Sequence, residues 1–366
     1  MAEVFASRRA RLRRRLKALT TPGALITDPI NVRYLTGFTG DSSYLLMVAE
    51  REILISDSRY ETQIAQECPG LDFEIRDASL TTEQLAARVI KRLKPGSLAI
   101  EADNLSKAAY DSLASNLKST MLVDTVGLVR ILRAIKDKTE LDTIRASIRV
   151  AQKAFQSVCS QLISSQSELE VAFELENQIR RIGGQGCAFD PIVGVGARAA
   201  LPHGRPGKTR IGDAPFVLID WGAKVCGYMS DLTRVVVTGK ISPKFQRVYQ
   251  TVVQAQQAAI DRIRPRAELR KIDSAARGVI ADAGFGKYFG HGLGHGFGLE
   301  IHELPRISPI SDGVLEPGMV VTVEPGIYLP EWGGVRIEDD VLVTSDGHEI
   351  LTSLPRDWES HQVECA

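Results

Sequence analysis

Near its C-terminal end the chain sets ionisable residues inside runs that otherwise read as buried β-strand. These are Val320-Val321-Thr322-Val323-Glu324-Pro325-Gly326 and Gly334-Val335-Arg336-Ile337-Glu338-Asp339-Asp340-Val341-Leu342-Val343. A lone carboxylate buried there would take up a proton or destabilise the fold, so a positive partner must meet it. Upstream lies a second such pair, Asp220 in Val217-Leu218-Ile219-Asp220 and Asp231 before Leu232-Thr233-Arg234-Val235-Val236-Val237. A histidine-rich stretch, His291-Gly292-Leu293-Gly294-His295 and then His302, separates the two pairs. Four carboxylates and at least one imidazole brought to one spot make a two-cation site.

Strand geometry allows that convergence. Residues opposite one another in an antiparallel hairpin share a face, with Cβ atoms about 4.5–5.5 Å apart. A turn centred between Val225 and Cys226 sets Asp220 against Asp231, and a loop centred on Glu331 sets Glu324 against Glu338. Taken singly, each acid has a plainer reading: Asp220 as a turn residue, Asp231 as partner of Arg234, Glu338 as partner of Arg336. Hard oxygen donors with an imidazole favour Mn²⁺ first, with Co²⁺, Fe²⁺ or Zn²⁺ as alternatives. Two such ions sharing a water lower its pKa and polarise a carbonyl, which is hydrolytic chemistry. The glycines around His291 and His295 point to close backbone approach.

The 366-residue length predicts two domains, with a boundary at the charged helical stretch that begins at Leu128. Residues 1–127 alternate strands (Ala24 to Thr27, Tyr44 to Val48, Ile53 to Ser56, Leu98 to Glu101) with helices (Thr81 to Lys94, Ser106 to Leu117), an α/β domain with a mostly parallel or mixed sheet. Residues 128–366 run helix, helix, strand pair, twice over, an α+β domain with a pseudo-twofold repeat. Thr139 followed by Asp142 has the pattern of a helix start within its first helix.

Balanced charge, 45 basic against 45 acidic residues, gives no long-range pull toward nucleic acid or an acidic membrane. The basic start, Arg8-Arg9-Ala10-Arg11-Leu12-Arg13-Arg14-Arg15, reads as the solvated face of an amphipathic helix with Leu12, Leu16 and Leu19 inward. No apolar run reaches membrane-spanning length, and a cytoplasmic protein is expected. Five scattered cysteines without a Cys-x-x-Cys pair predict reduced thiols rather than disulfides or a thiolate zinc site.

At these residues the chain resembles the pita-bread metallopeptidases, in their Xaa-Pro aminopeptidase and Xaa-Pro dipeptidase (prolidase) branch. The similar stretches are Leu201-Pro202-His203-Gly204, Asp220-Trp221-Gly222-Ala223, Gly227-Tyr228-Met229-Ser230-Asp231-Leu232-Thr233-Arg234, His291 to Glu303, Glu316-Pro317-Gly318-Met319, Val323-Glu324-Pro325-Gly326-Ile327-Tyr328, Gly334 to Asp340 and, in the N-terminal domain, Asn31 to Gly40. The resemblance implies a creatinase-like N-terminal domain and a pita-bread catalytic domain. It implies five ligands to two divalent ions: Asp220, Asp231, His295, Glu324 and Glu338, with Asp231 and Glu338 bridging. It makes Glu324 the proton carrier for a metal-bridging hydroxide, His302 a donor to the oxyanion and His203 a helper in proton transfer at the scissile bond. His291, Tyr328 and Arg336 would shape the proline pocket or support the ligands.

Implied substrates are Xaa-Pro dipeptides or peptides with proline second, and a homodimer is implied as well. Dipeptidase and aminopeptidase differ in what blocks the far end of the channel, which the sequence does not display. The competing readings are a methionine-aminopeptidase-like hydrolase, which generally lacks such an N-terminal domain, and a non-catalytic binding protein on the same fold, in which ligands are typically lost.

Overall fold

A computed structural model describes residues 2–364, so Cys365 lies outside the described residues. The chain forms two compact units that meet between Arg133 and Ala134.

The first unit is built on one mixed sheet. Its strands are β1 (Gly23–Ile26), β2 (Tyr44–Val48), β3 (Arg51–Asp57), β4 (Asp72–Arg76), β5 (Ser97–Glu101) and β6 (Met121–Thr125), in the order β4-β3-β2-β1-β5-β6. The β1-β2-β3 stretch is antiparallel, while β3-β4, β1-β5 and β5-β6 are parallel. Helices α1 (Ala2–Ala18), α2 (Pro29–Thr36), α3 (Glu61–Glu67), α4 (Thr82–Leu93) and α5 (Lys107–Asn116) cover it. α4 starts on a reciprocal cap between Thr81 and Gln84 and stops at Lys94 in a left-handed conformation, just before Pro95.

Leu12 and Leu16 of α1 are buried, but Leu19 lies past the helix end and is 46% exposed, correcting the expected three-leucine stripe. Nor is the basic face wholly solvated: Arg8 is buried and donates to the Tyr34 carbonyl, while Arg9 and Arg13 both pair with Glu52. Helices α2 and α3 and strands β4 and β6 add to the elements expected from the sequence.

The second unit follows α6 (Arg130–Ala134), which straddles the division, and repeats one plan twice. The first half has α7 (Lys138–Cys159), α8 (Glu168–Arg181), β7 (Ile192–Val195), β8 (Phe216–Trp221), a short ribbon of β9 (Lys224–Val225) and β10 (Tyr228–Met229), and β11 (Leu232–Val237). The second has α9 (Pro243–Ile260), α10 (Leu269–Asp282), β12 (Gly294–Gly296), β13 (Glu303–Ile307), β14 (Val320–Val323), β15 (Gly326–Leu329), β16 (Gly333–Arg336), β17 (Asp339–Val343) and β18 (His348–Ile350). The start of α7 differs from expectation. Asp137 caps it, bonding reciprocally with Glu140, and Thr139 is already inside the helix.

Strands β11-β8-β7 form one antiparallel sheet and β13-β12-β14-β17-β18 another, and an isolated bridge from Thr233 to Glu338 joins them. One core lies between the α9-α10 pair and the strands, a second between the α7-α8 pair and β7, β8 and β11. In the second, Phe155 of α7 stacks on Trp221 of β8 at 4.2 Å between ring centroids, and Trp221 Nε1 donates to the Ala151 carbonyl. Side chains alternate along a strand, so an inward Trp221 turns its neighbour Asp220 to the opposite face.

Candidate metal centre

Two ribbons deliver the acids. In the first, β8 pairs with β11 so that Asp220 faces Thr233, and β9 with β10 so that Val225 faces Tyr228. The turn is therefore Cys226-Gly227, both with positive φ (46° and 84°), rather than one centred before Cys226. Two consecutive left-handed residues are what a two-residue hairpin turn of this hand needs, and Gly227 supplies one without strain. Carried through the Ser230-to-Ala223 hydrogen bond, this register sets Asp231 beside Gly222. Asp220 and Asp231 are then diagonal rather than direct neighbours on one face.

The second ribbon follows the expected register, with Glu331 at its tip: Val323 pairs with Asp339 and Gly326 with Arg336. Glu324 and Glu338 occupy the gap between these two ladders. Glu324 donates its N–H to the Leu293 carbonyl, and Glu338 its N–H to the Thr233 carbonyl. The chain thus leaves its own hairpin at the two acids and splices them to the histidine segment and to the first ribbon.

His295 arrives from β12. Its flanking glycines are required by close strand approach, since a Cβ on Gly294 would lie 2.1 Å from the Thr322 carbonyl oxygen and one on Gly296 2.1 Å from that of Leu304. Low β-propensity hides β12 in the sequence, while the absence of side chains is what lets it enter the sheet.

The result is a cavity of about 550 Å³ lined by Asp220, Asp231, His295, Glu324 and Glu338, with His203, His291, His302 and Arg336 also in its wall. Ligand atoms of Asp220, Asp231 and Glu338, all three buried, lie within 4.8 Å of one another. His295 Nε2 is 3.4 Å from Glu324 Oε1 and 3.7 Å from Asp231 Oδ2. Its Nδ1 donates to the Gly296 carbonyl, which leaves the Nε2 lone pair aimed at those carboxylates. Burial first, then the neighbouring His302, lowers His295 to about 3, so the imidazole is neutral and these contacts are not ion pairs.

Burial raises all four acids. Asp231 and Glu338 are pushed well above the ordinary range, with neighbouring carboxylates adding to the effect, and Glu324 reaches about 8. Asp220 is raised too, against the opposing pull of Arg336. Among the described residues, the buried oxygens Asp220 Oδ1 and Glu338 Oε1 have no hydrogen-bond partner. Acceptors facing acceptors, with orphaned oxygens among them, are a donor set for divalent cations.

Arg336 bonds Asp220 rather than its sequence neighbour Glu338, and also donates to Tyr328 Oη (2.7 Å) and Thr233 Oγ1 (3.1 Å). Arg234 serves the Glu338 carbonyl and the Asp339 carboxylate, not Asp231. The plainer pairings of Asp231 and Glu338 with arginines close in sequence therefore do not occur. His291 Nε2 lies 2.9 Å from Tyr328 Oη, and burial lowers His291 to about 4. The ring of His302 stands edge-on to His295 at 4.4 Å; burial and then Arg306 depress its pKa.

Residues not singled out by the sequence complete the support. Thr233 Oγ1 donates to Glu338 (2.6 Å) and Thr322 Oγ1 to Glu324 (3.2 Å). Asp340 accepts from the Asp231 N–H, and Asp273 from the Leu293 N–H. Thr322 alone had a sequence signal, standing two residues before Glu324 on the same strand face.

A metal-binding peptidase centre at the meeting of two strand ribbons is the class this site defines. Residues 142–345 match the Metallopeptidase family M24 and residues 8–135 the Creatinase/Prolidase N-terminal domain, and the chain belongs to the M24 family. It is a metallopeptidase, and the family uses divalent metal. The chain is 38% identical over 347 residues to an uncharacterized peptidase of Bacillus subtilis, covering 95% of this chain and 98% of that one. Among solved structures it is similar to an Xaa-Pro dipeptidase from Bacillus anthracis, with a TM-score of 0.92, 37% identity, and 96% and 99% of the two chains covered. An X-Pro aminopeptidase from Thermotoga maritima gives a TM-score of 0.87 at 34% identity, covering 94% and 99%. Among the described residues, no helix is long and apolar enough to cross a membrane.

Proposed function

We propose that this metallopeptidase hydrolyses the bond before proline, in Xaa-Pro dipeptides or at the N-terminus of peptides whose second residue is proline. The observation that carries the reading is the convergence of Asp220, Asp231 and Glu338 within 4.8 Å, with unpartnered oxygens among them. Asp220, Asp231, His295, Glu324 and Glu338 hold two divalent cations, manganese first on the chemistry of an oxygen-rich donor set. Bound there, the pair supplies Lewis acidity and a water that ionises near neutral pH.

The chain's own groups do the rest. Glu324 takes a proton from the attacking water and passes it to the leaving proline nitrogen. His302 donates to the oxygen on which negative charge develops, and His203 assists proton transfer at the scissile bond. His291, Tyr328 and Arg336, joined by hydrogen bonds, form one rigid wall against the substrate. A proline nitrogen has no hydrogen to donate, so this wall need only accept a compact ring. A homodimer in the cytoplasm, with its cysteines reduced, completes the reading.

The test is proline release from Ala-Pro by protein stripped of metal and then given Mn²⁺. No release with any divalent cation would refute the reading and favour a binding protein. Turnover of Xaa-Pro alone marks a dipeptidase, and turnover of longer peptides an aminopeptidase.

A further inference from the structure

The core-facing side of α9 carries a buried amide. Gln256 is fully enclosed there, on the helix face that also bears Val252, Ala255, Ala259 and Ile260. A polar group in such a place is stable where its hydrogen-bonding atoms are met, so its partners define what it does. Gln256 Nε2 lies 3.1 Å from each of three acceptors: the Val323 carbonyl, the Ile337 carbonyl and Asp339 Oδ2. Its Oε1 has no hydrogen-bond partner among the described residues. Turning the amide over would set Oε1 against all three acceptors, so the network fixes its orientation.

The two carbonyls sit at chosen places. One precedes Glu324 and the other precedes Glu338, so a single nitrogen holds both peptide units that lead into the second ribbon's acids. These peptides border the gap between the Val323–Asp339 and Gly326–Arg336 pairs, where no strand ladder continues. Across that gap Pro325, opposite Ile337 by the same register, has no N–H to give. Gln256 supplies from a helix the donor that the hairpin lacks.

The two acids depend on it unequally. Glu338 is also held through its N–H by the Thr233 carbonyl, through its own carbonyl by Arg234 and through its side chain by Thr233 Oγ1. Glu324 has its N–H on the Leu293 carbonyl and a longer bond, 3.2 Å, from Thr322 Oγ1. Without Gln256, Glu324 is therefore the acid free to drift, on the side of the centre where His295 Nε2 stands 3.4 Å from it. Asp220, Asp231 and Glu338, within 4.8 Å of one another, keep their other supports.

We propose that Gln256 is a positioning residue of the metal centre, tying Glu324 to Glu338 and through that tie holding the cation beside His295. The assignment rests on the two-cation centre proposed above.

The experiment titrates metal-free protein with Mn²⁺, read by calorimetry and by electron paramagnetic resonance, in wild type, Gln256→Met, Gln256→Glu and Ile260→Ala. Wild type is expected to take up two ions and to show the spectrum of a magnetically coupled pair. Gln256→Met keeps the bulk and removes the donor, and it should bind one of the ions about tenfold or more weakly, the scale on which groups supporting a metal ligand act. Its spectrum at sub-saturating metal should be that of an isolated ion. Gln256→Glu sets an acceptor against three acceptors and should lose more. Ile260→Ala opens a cavity in the same core, so its melting temperature falls while both ions bind as in wild type. Wild-type affinity and spectrum in Gln256→Met overturn the assignment, and so does an equal weakening in Ile260→Ala. Failure of both Gln256 variants to fold overturns it too, by confining the residue to stability. Wild type that never takes up a second ion overturns the two-cation centre itself.

Discussion

Glu324 and Glu338 face each other across a gap in their own hairpin, between the Val323–Asp339 and Gly326–Arg336 pairs, and each spends its backbone N–H on a different part of the domain. The hairpin fixes their separation, and the outside partners fix their direction. Glu338 also has one oxygen held by Thr233 and the other buried with no partner among the described residues. Its removal therefore takes away a ligand oxygen while relieving a buried like-charge cluster. Glu338→Ala is expected to lose bound metal and peptidase activity together, with a melting temperature for the metal-free protein no lower than wild type. Metal analysis of the purified variant and a proline-release assay check this, and full activity in the variant would remove Glu338 from the site.

The same crowding sets a pH dependence. Burial raises Glu324 from 4.5 to about 8 and lifts Asp231 and Glu338 as well. Without metal, the folded protein holds protons that the unfolded chain has already released, so stability falls as pH rises toward and through the folded pKa values. The lowered histidines act in the opposite sense, but for His291 that window closes near its ordinary 6.5. Above about pH 7 the carboxylates prevail. Metal-stripped protein should melt at a lower temperature at about pH 9 than at about pH 7. Added divalent metal should reverse the trend, because its binding displaces those protons. Calorimetry in the two states reads both signs, and a stripped protein that gains stability over this range would contradict the burial of the acids.

How far the sequence disclosed this site follows from what kind of interaction each part depends on. The acids inside β-forming runs were legible because burying a charge has a local signature. Glu331 at the tip of the second hairpin was legible because its flanking runs are symmetric about it. The turn of the first hairpin lies one residue beyond the sequence expectation, since only the positive φ of Cys226 with Gly227 fixes it. Strand β12 is hidden by glycines whose value lies in neighbours far along the chain, and β13 by the proline within it. The pairing of Arg336 with Asp220 spans the domain and leaves no mark near either residue.

Glycine at 222 links the first ribbon's geometry to metal binding. A Cβ there would stand 1.8 Å from the Ser230 carbonyl oxygen, next to Asp231, so the backbone between the two aspartates must move. Gly278, inside α10, has nothing within 4 Å of the same added atom. Gly222→Ala is expected to weaken metal binding and lower the melting temperature. Gly278→Ala should raise stability by about 0.5–1 kcal/mol through helix propensity alone. Metal titration and thermal denaturation of both variants distinguish the two, and unchanged metal affinity in Gly222→Ala would show that the ribbon absorbs the strain elsewhere.

Lys136 and Glu303 form an ion pair at 2.9 Å with side chains only 0% and 4% exposed, and Glu303 directly follows His302. Glu303 also accepts the N–H of Glu300, so the pair anchors both ends of the short loop that carries His302. Removing one partner strands a charge in the interior, at a cost of about 3–5 kcal/mol, whereas replacing both by apolar residues of similar volume is often close to neutral. Lys136→Met is therefore expected to be strongly destabilised, and Lys136→Met with Glu303→Leu to recover most of that loss in chemical denaturation. Recovered stability should not restore turnover, because the loop bearing His302 would still lack its charged anchor. A double variant as active as wild type would limit the pair to a role in stability and detach it from the placement of His302.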